Sequence, residues 1–356
     1  MTTKTRRILA GLAGVAISSA VFAAPAHAFT IPGVPSAIGD LPAAVGTMPN
    51  LGGGLPVDIP GSVGDLPVDM GVIDGALGAI EGLPGAGLLP MVQGEGGTSD
   101  EEAMAGISWR KIGGNMVAFG DSYFADGTAT TLNAKQDGAG VCPRSETNPP
   151  SRAAGLLGME LADYSCSGAV AGAAPSNQVS SQIGKAISDG ALNDDTDAVA
   201  MSIGGNDMMT LVSLPQSERI ATYRELMAGH VDQIRGAAPN ARIVLVGYPE
   251  VVGAQGNFCP ASIGSPVGIG LPIPMLGQVE TDINDYQITV ANDLGIEFID
   301  LKDSTRGHGI CANDKDRWVS SPADLTNQNS WEMPAHVTSA GNAHIGARIA
   351  EHLSMT

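Results

Sequence analysis

The chain is short of basic residues and of long apolar runs, and each shortage removes a class of protein. Its 356 residues carry 18 Lys and Arg against 37 Asp and Glu, a formal net charge of -19. Phosphate binding needs clustered Lys and Arg, so no nucleic-acid partner is expected. Beyond residue 28 no stretch approaches the roughly 18 consecutive apolar residues of a membrane-spanning helix. Cysteine is absent until Cys142, and the four present, Cys142, Cys166, Cys259 and Cys311, form no CxxC pair that would suggest a metal site.

The chain begins with Lys4, Arg6 and Arg7, then an apolar stretch from Ile8 to Ala23, then Ala26-His27-Ala28. This is the order of an export signal, with cleavage expected after Ala28. Removing its three basic and no acidic residues takes the formal charge from -19 to -22. The protein is therefore expected outside the cytoplasm, secreted or associated with the cell envelope. An even number of cysteines in an exported chain points to two disulfides. Three pairings are possible. Cys142 with Cys166 and Cys259 with Cys311 is favoured, because each joins a loop to the next nearby segment, and such bridges contribute roughly 3 kcal/mol apiece in the chain-entropy model.

From Phe29 to Gly97 the sequence is dominated by Gly, Pro, Ala, Leu and Val, with loose phrases such as Gly39-Asp-Leu-Pro42 and Gly64-Asp-Leu-Pro-Val68. Proline at this density forbids long helices and central strands, and the phrases lack the fixed period of a solenoid. Three segments follow: a signal over 1–28, a Gly/Pro-rich arm or linker over 29–106, and a catalytic domain over 107–356. The apolar arm, residues 29–97, also offers a surface for cell-envelope contact.

After Ile107, short apolar runs alternate with longer amphipathic stretches, the pattern of a parallel sheet with helices on both faces. Strands are expected at Asn115 to Gly120, near Leu161 to Tyr164, and at Asp197 to Ile203, Arg242 to Tyr248 and Ile296 to Asp300. Helices are expected at Pro150 to Glu160, Gln178 to Ser188, Gln216 to Ala237, Gln278 to Leu294 and Ser339 to Leu353. In such folds the chemistry gathers at the carboxyl ends of the strands.

Four blocks fall there. The first strand breaks at Gly120-Asp121-Ser122, a turn that can present a serine hydroxyl to a ligand while its amides face an oxyanion; a plain turn in which Asp121 or Ser122 caps the next helix would read the same way. A second strand ends in Gly204-Gly205-Asn206-Asp207, where the Asn206 amide can donate to developing negative charge. Gly168, in Ser165-Cys166-Ser167-Gly168-Ala169, supplies another turn amide. His336 stands in a loop ahead of the last helix, where a base could lean over the sheet toward Ser122. His230, His344 and His352 lie within expected helices and read as surface or packing residues; His308, beside Cys311, reads as structural.

In this order the blocks resemble the SGNH, or GDSL-type, hydrolase superfamily, most closely its secreted actinobacterial esterase and lipase branch. Further matching residues are Val141-Cys142-Pro-Arg144-Ser145, Val246-Gly247-Tyr248-Pro249 and Gly307-His308-Gly309-Ile310-Cys311. The resemblance runs from about Asn115 to the C-terminus and leaves out the arm. It implies a three-layer α/β/α domain with a flavodoxin-like parallel sheet, without metal or organic cofactor. It further implies Ser122 as nucleophile, His336 as base, an oxyanion hole from the amides of Ser122 and Gly168 with the Asn206 side chain, and turn-shaping roles for Asp121 and Asp207. One departure stands out: the superfamily's Asp three residues before the histidine is Met333 here, with Glu332 one position further back. The main-chain carbonyl of Met333, or the Glu332 carboxylate, is the candidate for orienting His336.

The expected function is hydrolysis of carboxylic esters, of a lipid or a cell-envelope glycolipid. The alternatives are a carbohydrate acetylesterase or acyltransferase using the same donors and, in another class, a non-catalytic envelope-binding module.

Overall fold

The computed structural model describes residues 98–127, 142–172, 178–211, 214–259, 261–262, 270–324 and 335–355. The export signal, the arm up to Gly97, and Glu332 and Met333 lie outside the described residues. The centre is a sheet of five parallel strands, β1 (Asn115–Gly120), β2 (Glu160–Asp163), β3 (Ala198–Ser202), β4 (Arg242–Val246) and β8 (Glu297–Ile299), in the order β2-β1-β3-β4-β8. Taking these five strands alone, this is the 2-1-3-4-5 order of doubly wound folds, whose ligands sit beyond the carboxyl ends of the strands. Among the described residues four short pairs lie outside it: β5 (Asn257–Phe258) with β7 (Leu271–Pro272), β6 (Ala261–Ser262) with β9 (Ala323–Asp324), and isolated bridges between Val170 and Gln178 and between Val319 and Val337.

Strand alternation divides the core into two layers. Val117, Phe119, Val199, Met201, Ile243 and Leu245 face one side with Ile183, Tyr223, Met227, Tyr286 and Val290. These partners come from helices α4 (Val179–Ser188), α6 (Gln216–Ala237) and α7 (Pro274–Leu294). Met116, Ala118, Ala198, Ala200, Val244 and Val246 face the other side with Ala153, Leu157, Ile345 and Ile349, from α3 (Pro149–Leu157) and α8 (Ser339–Met355). Both faces are therefore apolar, which is why these strands read as nearly continuous hydrophobic runs. Gly346 lets α8 lie close on α3, since a Cβ there would stand 2.4 Å from Cβ of Arg152.

Several boundaries differ from the sequence reading. The helix expected to reach Glu160 stops at Leu157, because Gly158 turns left-handed at φ 67° and Glu160 is already paired with Asn115. Its start is fixed by Asn148, whose side chain accepts from the amide of Ser151. The Gly204 to Asp207 turn continues into a helix, α5 (Gly205–Leu211). A short helix, α1 (Asp100–Ala103), lies inside the stretch assigned to the arm. Its capping box joins Ser99 and Glu102, Asp100 pairs with Arg152 at 2.6 Å, and Ala103 is buried with Trp318 and Ala340.

Candidate active site

The carboxyl end of β1 leads directly into α2 (Ser122–Ala125). Gln182 grips the last strand residue from the side, accepting from the amide of Gly120 and donating to its carbonyl, both at 2.9 Å. Asp121 caps α2 by accepting from the Tyr123 amide at 2.9 Å. Ser122 opens the helix and is largely buried. Its Oγ lies 2.6 Å from Nε2 of His336, the geometry of a hydroxyl donating to a neutral imidazole. The structure thus joins two residues 214 positions apart in the sequence.

His336 is held by its backbone on both sides. Its carbonyl accepts from the Ser320 amide at 2.8 Å and the Ser320 hydroxyl at 3.1 Å. The preceding carbonyl, of Ala335, accepts from the Tyr123 hydroxyl at 3.0 Å. The Tyr123 ring stands 4.9 Å from the imidazole, centre to centre.

The two neighbouring turns are equally constrained. After β2, the Cys166 amide donates to the Gly120 carbonyl at 2.9 Å, Cys166 is bonded to Cys142, and Gly168 turns with φ 78°. The second disulfide joins Cys259 to Cys311. After β3, Gly204 adopts φ 119°, and a Cβ there would come within 3.0 Å of both Tyr286 and Tyr223, so glycine is required by conformation and by space. The Asn206 side chain donates to the Ala169 carbonyl at 2.9 Å and ties these turns together. Asp207 accepts from the amides of Ala171 and Gly172, both at 2.9 Å, while the Nε2 proton of His230 goes to the Ala171 carbonyl. Asp207 and Asp121 thus shape turns, and His230 is a buried brace.

Burial dominates the electrostatics here. It pushes the Asp121 carboxyl up to about 7, against the hydrogen bonds from Tyr248 and the Tyr123 amide, with the charge of Asp207 adding to the rise. Asp207 is also raised, first by burial. Asp126, which ends α2 with φ 42° and accepts from the Asn342 side chain at 2.5 Å, is raised by burial to about 6.

Sequence reasoning did not single out Tyr123, Tyr248, Ser320 or Asn342. Tyr248 enters the sequence reading only as the end of an expected strand and within a matching block. The remaining described histidines are committed elsewhere: His308 stacks on Trp318 at 3.5 Å, His344 donates to the Ala103 carbonyl, and His352 meets Glu297 at 2.7 Å. Among the described residues no group of three or more His, Cys, Asp or Glu is arranged to hold a metal ion, and no helix is long and apolar enough to cross a membrane. A cavity of about 500 Å³, lined by residues including Ile112, Asp194, Asp197 and Arg242, opens at the amino ends of the strands, away from Ser122 and His336. None of the residues that hydrogen-bond around Ser122 and His336 lines it.

Residues 118–344 match the GDSL-like Lipase/Acylhydrolase family. The chain is similar to Lipase 2 of Streptomyces coelicolor, with 26% identity across 67% of this chain and 84% of that protein. It is similar also to a lipase of Streptomyces rimosus, with 28% identity across 64% of this chain and 83% of that one. Among solved structures, it is similar to phospholipase A1 from Streptomyces albidoflavus, at 24% identity over 67% of this chain and 98% of that chain, with a TM-score of 0.47.

Proposed function

Since the chain belongs to the GDSL-like lipase/acylhydrolase family, an ester-hydrolase family, we propose that it is a secreted serine esterase or lipase with Ser122 as nucleophile and His336 as general base. The observation that carries this reading is the 2.6 Å contact between Ser122 Oγ and His336 Nε2. Attack of Oγ on an ester carbonyl transfers the hydroxyl proton to Nε2. The amides of Ser122 and Gly168 and the side chain of Asn206 hold the resulting oxyanion. A carboxamide has two N–H donors, and Ala169 engages the Asn206 nitrogen through one of them, which fixes its orientation for the other. His336 then protonates the departing alcohol, and water enters by the same base to release the acid.

An ester of a lipid or cell-envelope glycolipid is the preferred substrate. Relatives named as lipases and the apolar composition of residues 29–97 support this choice over a carbohydrate acetyl group. The export-signal order of residues 1–28 supports secretion. The test is hydrolysis of nitrophenyl esters from acetate to palmitate by the mature protein beside Ser122→Ala. Serine-dependent turnover rising with chain length is expected. Undiminished turnover in Ser122→Ala rejects the mechanism, and a sharp preference for acetate rejects the lipid substrate.

A further inference from the structure

The geometry points to Tyr123 as the positioning residue that sets His336 in register with Ser122, an assignment that rests on reading those two as base and nucleophile. Among the described residues, two that are not glycine adopt a left-handed backbone, Asp126 and Ala335. They bracket the site. Asp126 ends the single turn of helix that Ser122 begins, and Ala335 immediately precedes His336. A left-handed alanine is unfavourable by itself because Cβ crowds the backbone, and it persists only where the surroundings hold it.

The Tyr123 hydroxyl supplies that hold by donating to the Ala335 carbonyl at 3.0 Å. This fixes the peptide plane entering His336, while Ser320 fixes the plane leaving it. The same side chain also supports the imidazole directly, its ring 4.9 Å from the imidazole and tilted 35°. The ring also meets the buried Tyr248 edge-on, 5.1 Å away. An aromatic face this near also favours the imidazolium formed when Nε2 takes the serine proton.

Sequence adjacency makes the arrangement effective. Tyr123 follows Ser122 within α2, so any shift of the nucleophile carries the clamp on the base with it. Burial and the charges of Asp121, Glu280 and Asp126 push the phenol far above its ordinary range, which keeps the hydroxyl protonated and able to donate.

The experiment compares Tyr123→Phe, Tyr123→Leu and Ser122→Ala on one nitrophenyl ester, with kcat and KM measured separately and folding followed by thermal denaturation. Tyr123→Phe keeps the ring and loses the hydrogen bond; kcat should fall about tenfold, since small misplacements of a catalytic group are amplified in rate, while KM stays within about twofold. Tyr123→Leu loses both supports and should fall about a further tenfold in kcat. A Tyr123→Phe enzyme with wild-type kcat overturns the assignment, as does a loss that tracks a fall in melting temperature or lies in KM. If Tyr123→Leu does not fold, Tyr123→Phe decides alone, differing from wild type by one oxygen. Full activity in Ser122→Ala removes the premise, whereas an inactive Ser122→Ala beside a fully active Tyr123→Phe rejects this proposal alone.

Discussion

The hydroxyl of Tyr248 stands between the carboxylate of Asp121, to which it donates at 2.5 Å, and the amide of Gly205, from which it accepts at 2.9 Å. One oxygen atom therefore joins the turn that carries Ser122 to the turn that carries Asn206. Tyr248→Phe leaves both partners buried without their bond, a change that costs about 1–3 kcal/mol. Urea denaturation should show that loss, and kcat should fall several-fold while Ser122 and His336 remain in place. A variant as stable and as active as wild type would refute the link.

Asp121 makes stability depend on pH in a definite direction. Its folded value of about 7 lies above the ordinary 3.8, so below about pH 4 the carboxyl is protonated in both states. Between about 4 and 7 the unfolded chain releases a proton that the folded protein retains, and the stabilisation present at low pH is lost by about pH 7. Roughly three pKa units correspond to about 4 kcal/mol. Asp121→Asn removes this dependence, so its melting temperature relative to wild type should rise from pH 4 to 7 and then level. A constant difference across that range would contradict the assignment. Asp126, raised in the same direction, contributes equally to both proteins.

The bond between Cys142 and Cys166 acts on the Gly168 turn. Cys166 is tied to Gly120 through its amide and to the preceding loop through sulfur, and Gly168 follows two residues later. Replacing both cysteines by serine should lower stability by about 3 kcal/mol and reduce turnover. Dithiothreitol should inactivate the wild-type protein through the same loosening. Full turnover under strong reductant would exclude it.

The end of the arm belongs structurally with the helices beside it. A protein beginning at Thr98 keeps the Asp100–Arg152 pair, the burial of Ala103 and the bond from His344 to the Ala103 carbonyl; one beginning at Ile107 loses all three. Calorimetry should find the second weaker than the first by about 1–3 kcal/mol, chiefly from lost burial and buried hydrogen bonding. Equal melting temperatures would show that the contacts contribute nothing.

Much of this was legible because it rests on short-range pattern. Strands buried on both faces leave apolar runs, so β1 was placed at its observed bounds, and the turns after β1, β2 and β3 announced themselves by glycine. The tyrosines were not legible because their meaning is supplied from far along the chain: Tyr123 reaches a carbonyl 212 residues away and Tyr248 a carboxylate 127 residues away. The α5 helix was missed because two glycines at its start suggest a turn. The α1 helix was missed because composition set the boundary, although Ser99 followed three residues later by Glu102 is a helix-start signature.

The span of 214 residues between Ser122 and His336 also sets an order of events. The proposed nucleophile opens the helix after β1, and the proposed base stands just before α8, which packs on one face of the sheet. During synthesis Ser122 emerges 214 residues ahead of its proposed base. Any product clipped or stalled between the two positions would then carry an unarmed nucleophile, so on that reading the fold withholds ester cleavage until residue 336 has been made.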